Sequence, residues 1–212
     1  MLGIRVYWIR LKKMDSTFFK NIFKKNYDEV FDNYKIIEKK FDINKDQHIE
    51  IDLGNNIYYN VFNINNSEIK IKIDNNDISM MYNEFNIIGK AKISILINNF
   101  GNLRVYNLYK VNGNSSSDSI EKIYNKNNLV LISKIFIDKN SENSEGKLSQ
   151  YLLEENGISI LLPMLDIENN KSKGFHGSKI FKLTEKEENY LKYLSINKEE
   201  IRNILMREFN SI

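Results

Sequence analysis

Residues 47–73, QHIEIDLGNNIYYNVFNINNSEIKIKI, decide how the rest of the chain is read. Ile49, Ile51 and Leu53 alternate with His48, Glu50 and Asp52. Ile69, Ile71 and Ile73 alternate in the same way with Glu68, Lys70 and Lys72. Alternation at period two marks a strand with one dry face and one wet face. Between these runs, Gly54-Asn55-Asn56 supplies a turn and residues 57–64 read as the returning strand.

Further along, 91–97, the turn Asn98-Asn99-Phe100-Gly101-Asn102 and 103–111 read as a hairpin, with a short helix or turn near 77–85 before it. Residues 129–137 and 158–165 add strands, and Pro163, the single proline, is expected at a strand end or on an edge. Strands this closely spaced favour antiparallel pairing. The polar tracts near 112–119, 138–146 and 166–178 read as flexible loops, and no internal repeat is visible.

Upstream, residues 4–12 read as a strand buried on both sides. Asp15, Ser16 and Thr17 offer helix caps. Phe23, Tyr27, Val30, Tyr34, Ile37 and Phe41 then follow at steps of four and three. That spacing predicts a long helix whose outer face carries Lys20, Lys24, Lys25, Lys35 and Lys39. It is read as a helix lying on a sheet in preference to a coiled-coil seam. Downstream, Thr184-x-x-Glu187 and Asn197 with Glu200 are capping patterns that open two amphipathic segments. The expected fold is therefore α+β in a single domain, residues 1–212. It has a mainly antiparallel sheet, one long N-terminal helix packed on it and a C-terminal helical pair.

Composition removes several function classes. The absence of cysteine excludes a disulfide framework, a thiolate zinc site, an iron–sulfur cluster and a cysteine nucleophile. His48 and His176 are the only histidines, too few for a histidine cage. Asn, Ile and Lys supply 90 of the 212 residues, as A/T-rich codons would, so abundant Lys and Asn carry less functional weight here. Only 5 of the 31 basic residues are Arg, a poor composition for bidentate reading of bases. Residues 1–45 hold 11 basic and 6 acidic side chains, which suits an acidic partner; a solvated lysine-rich helix accounts for the same excess. No apolar run reaches the ~18–20 residues of a membrane helix, and residues 1–13 lack the features of a signal peptide. A cytoplasmic location with no membrane partner is expected.

Five patterns could carry chemistry. Asp52 followed by Glu68-Ile69-Lys70 places two carboxylates and a lysine near the ends of adjacent expected strands, the set that a hard divalent ion and an attacking water need. Over residues 15–97 this resembles the PD-(D/E)XK nuclease core. The resemblance implies Mg, with Asp52 and Glu68 as metal ligands and Lys70 as the catalytic lysine. The chain departs from that pattern in lacking a proline before Asp52 and in the short helix after Lys72. Read without the resemblance, Glu50, Asp52, Lys70 and Lys72 form exposed cross-strand pairs.

Lys171, Lys173, His176 and Lys179 flank two glycines and form a basic segment that could hold an anion. The segment has no P-loop spacing, and a mobile loop explains it as well. His48 beside Glu50 and Asp52 could serve as a base or simply lie exposed. In the C-terminal pair, 185–194 and 198–209, Lys198, Arg202 and Arg207 could face DNA as a helix-turn-helix. Glu185, Glu187 and Glu188 oppose that reading, and packing on the sheet through Leu191, Leu194, Ile201, Ile204 and Leu205 is preferred. Tyr58, Tyr59, Tyr106 and Tyr109, with Arg104 and Lys110 nearby, could make a recognition surface or stack single-stranded bases.

No catalytic constellation dominates. The expected function is a non-enzymatic binding or regulatory protein with no cofactor, acting on a protein or nucleoprotein partner. Candidate contacts are Lys20, Lys24, Lys25, Lys171, Lys173, His176 and Lys179, with nucleic acid a candidate at the basic N-terminal helix. The composition fits mobile-element or phage–host conflict, including inhibitors of nucleic-acid-guided defence. The Mg-dependent nuclease is the alternative.

Overall fold

Ten strands run from Ile36 to Phe181, and every pairing between them is parallel. The computed structural model describes residues 35–182 and 185–210. The strands are β1 (Ile36–Ile43), β2 (Gln47–Leu53), β3 (Ile57–Asn65), β4 (Glu68–Asn75), β5 (Ile78–Asn99), β6 (Asn102–Asn125), β7 (Leu129–Ile137), β8 (Glu145–Glu154), β9 (Ser159–Ile167) and β10 (Lys173–Phe181). One face stacks β1, β3, the first part of β5, the first part of β6, β7 and β9. The other stacks β2, β4, the later parts of β5 and β6, β8 and β10. Each face is held by five successive pairings, so the chain winds through about five turns of a parallel β-solenoid.

Corners make the winding possible. Asn66 (φ 48°), Gly89 (φ 77°), Asn114 (φ 52°) and Asn143 (φ 57°) adopt left-handed backbone where the chain passes from the first face to the second. Gly and Asn are the residues that enter this region at least cost. At Gly89 the requirement is also steric, because a Cβ there would lie 2.1 Å from Asn66 Oδ1.

Each interior position sits over its counterpart one coil away. Ile69, Ile71 and Ile73 lie on Ile93, Ile95 and Ile97, all essentially inaccessible to water. Burying each such side chain stabilises the fold by about 1.5–3 kcal/mol. On the first face Phe41, Phe62, Phe85 and Tyr109 form a stack with centroids 4.8, 4.9 and 4.8 Å apart. Beside it runs an amide ladder: Asn60 Nδ2 donates to Asn83 Oδ1 (2.9 Å), and Asn83 Nδ2 donates to Asn107 Oδ1 (2.8 Å). A second ladder joins Asn75, Asn99 and Asn125 at 2.7 and 2.6 Å. Because each amide has one donor group and one acceptor group, a stack of identical residues pairs its inner rungs, and only the acceptors of the first rungs, Asn60 Oδ1 and Asn75 Oδ1, are left without a partner among the described residues.

Two helices follow, α1 (Glu185–Tyr193) and α2 (Lys198–Asn210). Asn197 caps α2, its Oδ1 accepting from the Glu199 and Glu200 amides at 3.0 Å while Glu200 Oε2 accepts from the Asn197 amide at 2.9 Å. Phe209 meets Phe181 edge-to-face at 5.9 Å and joins Tyr124 and Leu153 in a small cluster outside the coil.

The architecture overturns the antiparallel α+β expectation. The segments 91–97 and 103–111 are not a hairpin: they lie on different faces, and 91–97 pairs with 117–123. Residues 78–85 are strand, as is the end of the expected N-terminal helix from Ile36 onward; the remainder of that helix, with Lys20, Lys24 and Lys25, lies outside the described residues. Two of the expected loops are largely strand. Residues 112–119 fall within β6, and 166–178 contain the end of β9 and the start of β10; between 138 and 146 only 138–144 form a corner. A repeat exists, but its length drifts. Along the first face the step between partners is 21 from Ile36 to Ile57, 23 to Met80, 24 to Arg104, 26 to Val130 and 30 to Ile160.

Candidate functional site

A groove of about 410 Å³ runs along the corner where the second face begins. Its wall is one outward column. Glu68 pairs with Lys92, Lys92 with Asp118 and Asp118 with Lys147, each one coil further on. These side chains face out because their sequence neighbours Ile69, Ile93, Ser119 and Leu148 are buried. Adjacent coils are about 4.8 Å apart, so the column presents charges of alternating sign at that interval. Lys90 and Glu145 stand beside it.

The groove's backbone is fixed by side-chain hydrogen bonds at the corner. Asp46 Oδ1 accepts from the Glu68 amide (2.8 Å), Asn66 Oδ1 from the Lys90 amide (3.0 Å) and Ser115 Oγ from the Gly89 amide (2.8 Å). Glu68 is engaged by Lys70 at 3.2 Å, and Lys147 stands 3.9 Å from Glu145. Lys90, Lys92 and Asp118 form no ion pair with any described residue.

The nuclease residues do not converge. Asp52 lies beside Asp74 in the β2–β4 register, six residues along from Glu68, a separation of about 20 Å at the rise of a strand. One metal ion cannot bridge that distance with bonds of 2–2.6 Å. Lys70 pairs with Glu68, and His48 Nε2 lies 3.3 Å from Glu50 Oε1 on the exposed face. Among the described residues no group of three or more His, Asp or Glu could hold a metal ion. Asp74, which sequence reading passed over, has its carboxyl held below the usual range: burial pushes it up, but the hydrogen bonds from Asn98 (2.6 Å) and Lys72 (2.9 Å) outweigh that.

The basic segment is dispersed. Lys171 pairs with Glu142 at 2.7 Å in a corner. Strand alternation in β10 turns Lys173 and Lys179 outward and His176 inward, so they share no anion site; Lys179 pairs with Glu208 at 3.1 Å. In α2, Arg202 donates to Tyr124 OH at 2.9 Å and its Nε approaches Glu155 at 2.5 Å, which draws it onto the coil. Ile201 is buried and Leu205 packs on the small cluster, while Leu194 and Ile204 stay exposed; Arg207 is exposed as well. The tyrosines divide. Tyr59, Tyr82 and Tyr106 stack on the outer side of the first face at 5.1 and 5.4 Å, with Tyr82 itself buried between the other two, whereas Tyr58 and Tyr109 are buried in the interior.

Glu121 went unnoticed in the sequence. It is fully buried, and its carboxyl oxygens accept from Asn107 Nδ2 (2.7 Å), Tyr109 OH (2.6 Å), Ser133 Oγ (2.8 Å) and Gln150 Nε2 (2.7 Å). It terminates the Asn60–Asn83–Asn107 ladder. Burial, followed by the adjoining Glu121 carboxyl, pushes the Tyr109 hydroxyl well above its ordinary value. The only sequence signal was a second acid, after Asp118, in a serine-rich strand, which looks like any polar tract.

Fold and surface together define a parallel β-solenoid with a charge-alternating groove along one corner. No protein-family model, no curated protein and no solved structure matches this chain. Among the described residues no helix is long and apolar enough to cross a membrane.

Proposed function

We propose that this chain is a non-enzymatic binding scaffold that engages a protein partner along the groove on its second face. The observation that supports the reading is the column Glu68–Lys92–Asp118–Lys147, with Lys90, Lys92 and Asp118 uncommitted within the described residues. The alternation selects among partners. A phosphate backbone would meet Glu68, Asp118 and Glu145 as well as the lysines, and repulsion would cancel much of the attraction. A polypeptide carrying both signs can match the column, and fixed spacing keeps the ordering cost of association low. An inhibitor or accessory factor that works by occupying a surface, as in mobile-element conflict, needs no more than this.

Two measurements test the reading. Fluorescence anisotropy with single-stranded DNA, duplex DNA and RNA is expected to show no binding that Lys92→Glu weakens. Salt-sensitive binding lost in Lys92→Glu would hand the groove to nucleic acid instead. A photo-crosslinking residue at position 92, placed in cells that produce the chain, is expected to trap a protein that the same residue at Lys134 on the opposite face does not. Charge reversal at Asp118 should abolish that product. Equal trapping from both faces would remove the groove as the contact surface.

A further inference from the structure

Among the described residues the last coil has a neighbouring coil on one side only. In β9 and β10 the interior columns continue with Leu161, Leu165, Ile167, His176, Ser178 and Ile180. One coil earlier, Leu131, Ile135, Ile137, Leu148, Gln150 and Leu152 occupy the same columns at 0–1% exposure, whereas Ile180 is 56% exposed. His176 and Ser178 are exposed too.

Backbone direction follows from parity, since alternate residues of a parallel strand turn their N–H and C=O to opposite neighbours. Ile158 accepts from the Leu129 amide, and the Glu168 amide donates to Ile137, so even-numbered residues of β9 face β7. Its odd-numbered residues face the open side, and Pro163 is the middle one. In β10 the Lys173 amide donates to Ser144, so Gly174, His176, Ser178 and Ile180 direct their backbone groups to the open side.

We propose that the C-terminal end of the coil is a self-association surface for a second copy of this chain, and that Pro163 keeps it closed to that copy. The open edge itself identifies the occupant. β9 and β10 present nine residues each, and the edge that matches them strand for strand is the same edge of a second copy. The exposed interior columns there carry no Lys, Arg, Asp or Glu, so two copies meet without like-charge repulsion. A twofold axis through both faces would lay β9 antiparallel to its copy. Leu161 would then stand opposite Leu165, and Pro163 opposite Pro163.

The proline defeats that match. It has no N–H to give at the centre of the new ladder, and its ring fills the space where the partner's carbonyl would sit. Natural sheets blunt open edges in this way, and the chain's single proline occupies the position where it blocks most.

The test uses the full chain in light scattering coupled to size exclusion over a wide concentration range. Wild type is expected to stay monomeric, and Pro163→Thr and Pro163→Val to double in mass as concentration rises. Adding Ser178→Pro to Pro163→Thr, which removes an amide on the other open strand, should lower the dimer fraction. Because the chain is cysteine-free, His176→Cys gives a single reporter. A bis-maleimide should join two copies in the Pro163→Thr background and not in wild type. A wild-type dimer cross-linked through His176→Cys would overturn the proposal. So would Pro163 variants that keep the wild-type circular dichroism spectrum yet remain monomeric.

Discussion

The middle coils and the last coil are built from the same kinds of strand, yet a side chain means something different in each. Phe85 lies between Phe62 and Tyr109 and is inaccessible to water; Leu165 belongs to the same interior but lies on the last coil, where among the described residues it has a pairing neighbour, Ile135, on one side only. In a solenoid, contacts are made almost wholly with the coil above and the coil below. Burial is therefore set by position along the axis more than by residue type.

The sharpest way to break this comparison is to cut the same column in both places. Phe85→Ala removes a ring packed on two sides and is expected to cost about 3–5 kcal/mol, read from urea unfolding. Leu165→Ala opens a gap that already borders water and is expected to cost about 1 kcal/mol, below the usual range for a fully buried leucine. Equal losses would mean that the last coil is covered as well as the middle ones.

The amide ladder comes next in size. Asn83→Ala strands Asn60 Nδ2 and Asn107 Oδ1 inside the coil, and leaving buried groups unpaired is expected to cost about 2–3 kcal/mol. Asn63, in an outer ladder with Asp42 and Asn86, makes a matched control because its neighbourhood is reached by water. Asn63→Ala is expected to change the unfolding midpoint by much less. A similar loss at both positions would show that the ladder acts through strand pairing and not through burial.

The strands were legible in this sequence and the way they pair was not. Alternation in 47–53 and 69–73 marks strand correctly, because period two depends only on neighbouring residues. Partners in a solenoid lie a full coil away, and with the step drifting from 21 to 30 residues no fixed period survives to be seen. Asn112 to Ser119 looked like a loop because polar residues usually face water. Here Ser115, Ser117 and Ser119 point into the coil. The expected helix failed at Ile36 for a related reason: the step of four from Ile37 to Phe41 is one helical turn and also two strand periods, so it cannot distinguish them. The groove was legible only as scattered charges, since Glu68, Lys92, Asp118 and Lys147 are brought together solely by the coil register.

Tyr109 gives a smaller effect that depends on pH. Its hydroxyl donates to Glu121, and its removal in Tyr109→Phe is expected to cost about 1–2 kcal/mol at neutral pH. Burial and the adjoining carboxyl raise its folded-state pKa well above the unfolded value of about 10. A raised acid binds its proton more tightly when folded, so its contribution is complete below about pH 10 and declines as pH rises beyond that. The difference between wild type and Tyr109→Phe should narrow in strongly alkaline solution. A gap that stays constant from neutral to alkaline pH would remove the hydroxyl from the linkage.

The smallest contrast lies on the outer surface. Asp74, in a middle coil, takes hydrogen bonds from Asn98 and Lys72, which the β4–β5 register and its own strand hold in place. Lys179 and Glu208, at the last coil, form a pair whose members are both more than half exposed. Asp74 is depressed in the folded state, so its stabilisation is present above the unfolded carboxyl value near 4 and is lost as pH falls through the folded one. Asp74→Asn should therefore flatten the acid limb of the stability curve, by less than about 1 kcal/mol for a pair this close to water. Lys179→Ala should leave that limb and the midpoint unchanged, because solvent and salt already screen the pair. If the two variants behaved alike, position along the coil would govern the interior of this protein and have no hold on its surface.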